Sequence, residues 1–308
     1  MELEFKPVEA DDIKIIAPFF GLRPNKTCDS VWLDSYIWRD FYHVQYAVSD
    51  GKALQFLMKK NGRYHSAMPM CREEDLPFYF NQMVEYFNEV LKQPFAIYLA
   101  DEEAVRQLNL DPNRFEVWEE EDLKDYLYDA SALKSLSGKK LHKKKNHLNG
   151  FLREYEGRYE YRTLCCSDRD DVWKFLDRWW ENKVEAEEFK AQLDSEITGI
   201  HEILKNCSQL DVKMAGVYID GVLQAFTIGS YNALEKMAII HIEKANIEFK
   251  GLYQFINQQF LINAFPEDMV LVNREDDLGM EGLRKAKMSY NPIGFARKFG
   301  VRQKDFKV

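Results

Sequence analysis

The stretch KMAIIHIEKANIEFKGLYQFINQQFLINAF, residues 236–265, decides the fold. Residues 236–244 have the composition of a buried strand, and Lys250-Gly251 then opens a long apolar helix. A second strand follows and ends in NREDD, residues 273–277, and Gly279 opens a short basic helix. In α/β proteins, a helix that begins at a glycine after a strand is a common place for phosphate groups, because free backbone N–H groups and the helix dipole meet there. The stretch therefore predicts a transferase-type site in an α/β fold.

The composition is that of a globular chain with a net negative charge. The 308 residues are 46% hydrophobic and 14% aromatic, which is enough to bury a core and argues against a disordered chain. No apolar run reaches about 18 residues, and the N-terminus has no apolar signal segment, so we expect a cytoplasmic protein with no integral membrane association. The formal net charge of -9 argues against generic binding to DNA, to RNA or to anionic lipid.

The cysteines and acids predict neither a disulfide framework nor a metal site. The five cysteines are an odd number, and the only close pair, Cys165-Cys166, is adjacent, so we expect reduced thiols and no zinc ligands. Glu275, Asp276 and Asp277 are consecutive on an extended chain and alternate in direction, which argues against a metal ion there.

The chain contains two Asp-Gly pairs, Asp50-Gly51 and Asp220-Gly221, each within an alternating apolar stretch, and they indicate two similar halves. Each pair predicts a tight β-hairpin, because glycine accepts the positive φ that the favoured turns require. After each hairpin we predict a strand, a helix, a strand, a short helix and an extended segment. In the first half these are residues 63–70, 75–91, 95–99, 102–108 and 114–118, and in the second half residues 236–244, 251–265, 269–272, 279–288 and a segment near Phe295.

Before the second hairpin we predict helices at residues 137–155, 168–188 and 193–207, with a strand at residues 158–164. The matching order of elements predicts a tandem duplication of one α/β unit with mixed sheets. We place an N-terminal domain at residues 1–128 and a C-terminal domain at residues 129–308. No Pro/Gly/Ser linker separates them.

Three segments carry a resemblance to known families: LSGKKLHKKKNHLNGFLREY (136–155), IHIEKANIEFKGLYQFINQQF (240–260) and NREDDLGMEGLRKAKMSYNP (273–292). The plan of each half resembles the GNAT acyltransferases, and two copies in tandem resemble the Fem-type aminoacyltransferases. The three segments are similar to uncharacterised proteins grouped with the C-terminal domain of phosphatidylglycerol lysyltransferase, over about residues 32–301. The resemblance implies a tandem GNAT-like fold and an acyl- or aminoacyltransferase. It does not imply lysyl transfer to lipid, because this chain lacks the membrane region of those synthases.

The donor is left open by the glycine loop. The GNAT family holds the pyrophosphate of coenzyme A with a loop that resembles Arg/Gln-x-x-Gly-x-Gly/Ala. In the corresponding EFKGLY, residues 248–253, only Gly251 fits, and Glu248 places an anion where a phosphate would bind. Lys250 offers three donors in compensation. We expect the cofactor-binding residues to be Asn246, Lys250, Gly251 and Tyr253, and the donor to be either an acyl-CoA or an aminoacyl-tRNA.

His241 and Glu243 are the candidate catalytic residues. The period of two places them on one face of the predicted strand, with Ile240 and Ile242 on the other face. In the GNAT arrangement this strand borders the point of acyl transfer, where a base must deprotonate the attacking amine. Either residue meets that need, and each also has a structural alternative as a hydrogen-bonded group in a half-polar sheet.

Cations and polar groups around the same crevice are candidates for binding the substrate or an anion. They are Lys144, Lys145, Asn273, Arg274, Arg284, Lys287 and Tyr290. A phosphate group would require cations and a hydroxyl there. For the acids at 275–277 we favour an ion-pair network with Arg284, Lys285 and Lys287 that holds the last helix.

The lysine-rich helix at residues 139–155 has two interpretations. On a helical projection Lys144 and Lys145 lie beside the apolar stripe, whereas Lys139 and Lys143 point away. The helix either presents a solvated basic face with snorkelling lysines or contacts a polyanion such as a tRNA acceptor stem.

Three functions therefore stay open. The first is a transferase whose donor site belongs to the second half alone, since the acidic residues 72–75 open the corresponding helix in the first half. The second is a non-catalytic binding module that kept the fold and lost the donor loop, as Glu248 suggests. The third, an RNA-binding protein that uses the lysine-rich helix, is opposed by the overall acidity.

Overall fold

In a computed structural model the chain forms two compact units. The structure describes residues 3–60, 62–181, 187–304 and 306. The first unit comprises Met1–Asp125 with Ala296–Val308, and the second comprises Tyr126–Phe295.

The elements are as follows, in chain order. The strands are β1 Lys6–Pro7, β2 Gln45–Ser49, β3 Ala53–Lys60, β4 Arg63–Ser66, β5 Ala96–Asp101, β6 Phe115–Glu119, β7 Asp125–Asp129, β8 Tyr159–Thr163, β9 Lys213–Ile219, β10 Val222–Asn232, β11 Met237–Ala245, β12 Leu271–Asn273, β13 Gly294–Ala296 and β14 Lys298–Gln303. The α-helices are α1 Ile13–Ile16, α2 Trp32–Ile37, α3 Leu76–Glu89, α4 Glu102–Leu108, α5 Ala130–Ser135, α6 His142–Glu154, α7 Arg169–Glu181, α8 Glu187–Asn206, α9 Leu252–Asn263 and α10 Glu281–Met288.

Both predicted hairpins are confirmed. Asp50 and Gly51 connect β2 to β3 with φ values of 53° and 66°, and Asp220 and Gly221 connect β9 to β10 with φ values of 50° and 79°. Glycine, and to a lesser extent aspartate, accepts this left-handed conformation, which is why these pairs mark the turns. The long helices after the hairpins are also confirmed as α3 and α9. The predicted helix at 168–188 corresponds to α7 and the start of α8, and its residues 182–186 lie outside the described part of the chain.

The two units repeat one sheet plan. Within the described residues, the first sheet has the order β1-β2-β3-β4-β5-β14-β6, and the second, read from its opposite edge, has the order β8-β9-β10-β11-β12-β7-β13. In each sheet the fourth and fifth strands, β4 with β5 and β11 with β12, pair in parallel. A long helix connects them along the chain, α3 in the first unit and α9 in the second. The other strand pairs with a defined register are antiparallel, so both sheets are mixed, as the tandem α/β duplication predicts.

The units have exchanged one strand. In the first sheet the sixth strand is β14, which lies between β5 and β6 and pairs with both. The corresponding position in the second sheet is filled by β7, which follows β6 directly in the chain and pairs with β12. This differs from the predicted division into 1–128 and 129–308, because the last strand of the chain belongs to the first unit.

A buried ion pair lies where the chain leaves the first unit and where it returns. Asp125 is the last residue before the second unit, and Lys298 is the first residue of β14. Their charged atoms lie 2.8 Å apart, and 0% and 1% of their side chains are exposed. Lys298 Nζ also donates to Cys28 Sγ at 3.1 Å, and the backbone N–H of Cys28 donates to the Asp125 carboxylate. Removing one partner of such a pair costs about 3–5 kcal/mol, because the other charge stays buried.

The expectation of five reduced thiols is wrong for two of them. Cys166, just before α7, forms a disulfide with Cys207, just after α8, with a Cα–Cα distance of 5.8 Å. The two cysteines are 41 positions apart, which hides the pair in the sequence, and the disulfide forms because α7 and α8 bring the chain back to where α7 began. Cys28, Cys71 and Cys165 are free thiols.

No helix in the described part of the chain combines the length and the apolar character needed to cross a membrane.

Gly251 is required by the packing of α6 against α9. It precedes α9 with a φ of +88°, and a Cβ atom there would lie 2.2 Å from the carbonyl oxygen of His147 and 2.9 Å from Cβ of Phe151. His147 and Phe151 both belong to α6. The two helices thus approach so closely that only a residue without a side chain fits between them.

We expect Gly251→Ala to lower the free energy of unfolding by at least about 2 kcal/mol, because the left-handed φ and the clash with a backbone carbonyl add. Gly150→Ala is the matched control, since Gly150 lies within α6 and a Cβ atom there meets no neighbour within 4 Å. It should stabilise the protein by about 0.5–1 kcal/mol. Urea unfolding of both variants measures this, and equal effects would contradict the packing role of Gly251.

Candidate functional site

The candidate site begins where β11 and β12 separate. The two strands pair in parallel over three residues each, and the last pair is Ile239 with Asn273. Beyond that point Arg274 and Glu275 keep backbone hydrogen bonds to Tyr126 at the start of β7, each 3.1 Å long, while β11 continues to Ala245 without β12 beside it. We call the opening between residues 240–245 and 274–277 the split. It lies at the carboxyl ends of parallel strands, where open α/β sheets bind ligands.

A β-bulge in β11 changes which side chains face the two sides of the split. Ile228 of β10 lies opposite Ile242, and the next residue, Gly229, lies opposite Ile240. His241 is therefore an extra residue with no partner in the β10 register. Bulges of this kind redirect a side chain and are common next to active sites.

The prediction that His241 and Glu243 share one face is therefore wrong. Glu243 lies opposite Thr227, and Thr227 and Gly229 are two residues apart, so they point to the same face. Ile240, opposite Gly229, belongs to the core cluster beneath α9. Glu243 shares this α9 face, and the bulge turns His241 to the opposite face.

On the α9 face, Glu243 bridges the split to Arg274. Its carboxylate accepts a hydrogen bond from Nη2 of Arg274 at 2.8 Å and another from Nδ2 of Asn257, on α9, at 2.8 Å. Nη1 of Arg274 is buried and has no hydrogen-bond partner within the described structure. The pair holds the guanidinium in place while one of its donors stays unused.

Tyr290 and Lys144 extend this group. The Tyr290 ring is contacted by Lys144 Nζ, 4.1 Å from the ring centroid, and by the Arg274 guanidinium, 4.8 Å from it. Gln254 Nε2 donates to the Tyr290 hydroxyl at 3.2 Å. Burial and the neighbouring Arg274 cation lower the pKa of Lys144, and no acid among the described residues forms an ion pair with it.

We call Glu243, Arg274, Tyr290 and Lys144 the α9-face cluster. It has two cations and one carboxylate, so it suits an anionic ligand. The sequence predicted all four residues as site residues, and the structure brings them together. Lys145, by contrast, is exposed.

On the opposite face, His241 has a partner at each ring nitrogen. Nε2 lies 2.7 Å from Oγ of Ser230 on β10, and Nδ1 lies 2.8 Å from Oε1 of Glu275. Sequence reasoning missed Ser230 because no motif marks it. Its contact with His241 depends on the register of β10 at the bulge, which a pattern of alternation does not reveal.

The loop after Glu275 is held by contacts with side chains of α10 and β7. Arg284 donates twice to the Asp277 carboxylate at 2.9 Å, and the Tyr126 hydroxyl and the N–H of Gly279 donate to the same carboxylate. Lys287 donates to the backbone carbonyl groups of Arg274 and Asp276.

This arrangement agrees only in part with the expected ion-pair network. The pair between Arg284 and Asp277 forms, but Glu275 faces His241, and the Lys287 contacts given above are to carbonyl groups. Asn273 Oδ1 accepts the backbone N–H of Glu275 at 2.7 Å. Roles for Asn273, Arg284 and Lys287 in binding an anion stay predictions.

The residues predicted to hold a cofactor surround the start of α9. Asn246 Oδ1 accepts the N–H of Glu248 at 3.1 Å and closes a turn, and Lys250 is exposed. Burial raises the pKa of Tyr253. Since Gly251 packs against a carbonyl of α6, the structure gives the turn a structural role, and its cofactor contacts stay predictions.

Comparison with known proteins agrees with this architecture. The family described as phosphatidylglycerol lysyltransferase, C-terminal, matches residues 22–302. An uncharacterised protein of Mycoplasmoides gallisepticum is 26% identical over 178 residues, which cover 58% of this chain and 56% of that protein. The chain thus spans little more than half the length of this curated relative.

Three solved structures share the fold along nearly the whole chain. A conserved protein of unknown function from Bacteroides thetaiotaomicron is 29% identical with a TM-score of 0.88, covering 98% of this chain and 100% of that chain. L-PGS from Bacillus licheniformis is 15% identical with a TM-score of 0.68, covering 99% and 95%. FemX is 8% identical with a TM-score of 0.61, covering 97% and 96%. The predicted tandem GNAT-like, Fem-type fold is confirmed.

We expect Asp277→Asn to lower the free energy of unfolding at pH 7 by about 1–3 kcal/mol, because it breaks a buried charged pair. Burial alone would raise the pKa of Asp277, but hydrogen bonds from Arg284 and Tyr126 lower it below its usual value. The contribution of the carboxylate is therefore present above the unfolded-state pKa, about 3.9, and is lost as the pH falls through the folded-state pKa.

Urea unfolding between pH 7 and pH 3 should thus show the difference between wild type and Asp277→Asn shrink below about pH 4. Asp268→Asn is the control. Asp268 forms an ion pair with Lys236 at 2.8 Å, but its side chain is 62% exposed, so the loss should be much smaller than that at Asp277. A larger effect at Asp268 than at Asp277 would contradict the role of burial.

Proposed function

Because the chain belongs to the family of the phosphatidylglycerol lysyltransferase C-terminal domain, we propose that it is an aminoacyltransferase. It moves an aminoacyl group from an aminoacyl-tRNA to a hydroxyl or amine acceptor. The observation that carries the proposal is the split between β11 and β12, which has a cation-rich group, the α9-face cluster, on one face and a buried histidine on the other.

The start of α9 supports aminoacyl-tRNA over acyl-CoA as the donor. In GNAT enzymes the helix N-terminus at this position holds the pyrophosphate, which requires free N–H groups and space beside them. Here the His147 carbonyl packs against Gly251, and the N–H of Leu252 donates to the carbonyl of Phe249 at 3.1 Å. Glu248 is exposed on the same turn. A pyrophosphate would meet an anion and a carbonyl there.

The α9-face cluster supplies the contact for the donor's anionic group. Arg274 has an unused, buried donor, and Lys144 contacts the same Tyr290 ring without an acidic partner among the described residues. A terminal phosphate of tRNA would receive charged hydrogen bonds from both cations.

His241 is the better of the two candidate bases. The Glu243 carboxylate already accepts hydrogen bonds from Arg274 and Asn257, so it is engaged in positioning the guanidinium. The Nδ1 of His241 contacts a carboxylate, Glu275, which stabilises the cation that forms when Nε2 takes a proton.

The test is a panel of donors. Melting temperature is measured with coenzyme A, acetyl-CoA, uncharged tRNA and aminoacyl-tRNA, and loss of the aminoacyl group is followed with phosphatidylglycerol vesicles and with free amines as acceptors. Stabilisation by tRNA with acceptor-dependent loss supports the proposal. Stabilisation by coenzyme A alone would replace the donor by acyl-CoA. No response to any donor would favour a non-catalytic binding module.

We expect Lys144→Met to lower kcat/KM for aminoacyl-tRNA about tenfold to a hundredfold, because a charged contact to phosphate is lost. Lys143→Met, one residue earlier on the exposed side of α6, should change kcat/KM less than twofold. Initial rates at several salt concentrations measure both effects. Equal losses at the two positions would show that the whole lysine face binds RNA and that the α9-face cluster has no special role.

A further inference from the structure

Ser230, His241 and Glu275 have the geometry of a nucleophilic triad. A hydroxyl lies 2.7 Å from one ring nitrogen of the histidine, and a carboxylate lies 2.8 Å from the other. These distances are those at which a base activates a nucleophile and a third group orients the base. The three residues come from β10, from the bulge of β11 and from the end of β12, so the contact is formed by the sheet and not by neighbours in the chain.

The hydrogen bonds define the direction of proton transfer. A carboxylate only accepts, so Nδ1 of His241 carries the proton that Glu275 accepts. In the neutral imidazole Nε2 then carries no proton, and it accepts a hydrogen bond from the Ser230 hydroxyl. The Ser230 residue is 4% exposed and the His241 side chain 1%, whereas 21% of the Glu275 side chain is exposed. Burial strengthens the electrostatic contact between the histidine and the carboxylate.

We propose that Ser230 is a nucleophile and that it carries the aminoacyl group as an ester before the acceptor receives it. The identity of the acyl group rests on the proposed function, but the nucleophile does not. Arg274 and Glu275 are consecutive and serve opposite faces, the first through Glu243 and the second through His241. The α9-face cluster and the pair of His241 with Glu275 thus border the same split from its two faces.

The transfer then takes two balanced steps. In the first, Ser230 Oγ bonds to the carbonyl carbon of the donor ester and its proton moves to His241 Nε2. The bond from that carbon to the donor's ester oxygen breaks, and this oxygen leaves with the proton. In the second, the acceptor's hydroxyl or amine bonds to the same carbon, and its proton passes through His241 to Ser230 Oγ as the seryl ester breaks. Nothing is oxidised or reduced.

The test uses diisopropyl fluorophosphate on the full chain, with peptide mass spectrometry. At an activated serine an O–P bond forms, the P–F bond breaks, and the hydroxyl proton passes to the histidine. We expect one adduct, on Ser230. The labelling rate should fall at least a hundredfold in His241→Gln and at least tenfold in Glu275→Gln. Ser66 is the internal control, since it is equally buried in a strand but donates to the carbonyl of Ala67.

Labelling of Ser230 that depends on His241 supports the triad. No adduct on Ser230 in folded wild-type protein, or equal labelling of Ser66, overturns it. Ser230→Ala and Ser230→Cys, each checked by circular dichroism, are then assayed with aminoacyl-tRNA. Full turnover in Ser230→Ala overturns the triad and leaves the transferase function standing. An adduct on Ser230 with no turnover of any donor supports the triad and overturns the transferase function.

Discussion

The buried ion pair between Asp125 and Lys298 is the contact on which the rest of the structure depends. The chain leaves the first unit after Asp125 to form β7, and it has returned at Lys298 to form β14. Tyr126, the next residue after Asp125, exchanges backbone hydrogen bonds with Arg274 and Glu275. Asp125 of the buried ion pair is thus adjacent in the chain to Tyr126, whose backbone holds Arg274 and Glu275 at the split.

The two faces of the split would have different tasks in the proposed transfer reaction. On the α9 face, Arg274 is held by Glu243 and keeps one donor unused, and Lys144 adds a second cation. On the other face, His241 is held by a serine and a carboxylate. In the proposed reaction, the group that would bind phosphate and the group that would move protons therefore lie on opposite faces of the second sheet.

Local pattern predicted most of the elements, because it depends on neighbours in the chain. The Asp-Gly pairs marked both hairpins, the apolar periodicity marked α3 and α9, and the helical projection placed Lys144 beside the apolar stripe of α6. The order of these elements was enough to predict the tandem fold, and residues at the ends of β11 and β12 were predicted as a site, which stays a prediction.

Long-range register decided what the pattern could not. The bulge at His241 depends on how β10 pairs with β11. A period of two therefore placed His241 and Glu243 on the same face of the strand, whereas they lie on opposite faces. The disulfide between Cys166 and Cys207 forms because α7 and α8 bring the two cysteines together. β14 belongs to the first sheet because it pairs there with β5, which lies far away in the sequence. Each of these requires knowledge of a partner far away in the sequence.

The exchange of β7 and β14 also sets the order in which the protein can be completed during synthesis. β6 lies at the edge of the first sheet, and its partner there is β14, the last strand to leave the ribosome. At about 5–20 residues per second, synthesis from β6 to β14 takes on the order of ten to forty seconds. The second sheet has all its strands before that time. The N-terminal unit therefore begins first and is completed last, and until then the edges of β5 and β6 must be kept from pairing with other chains.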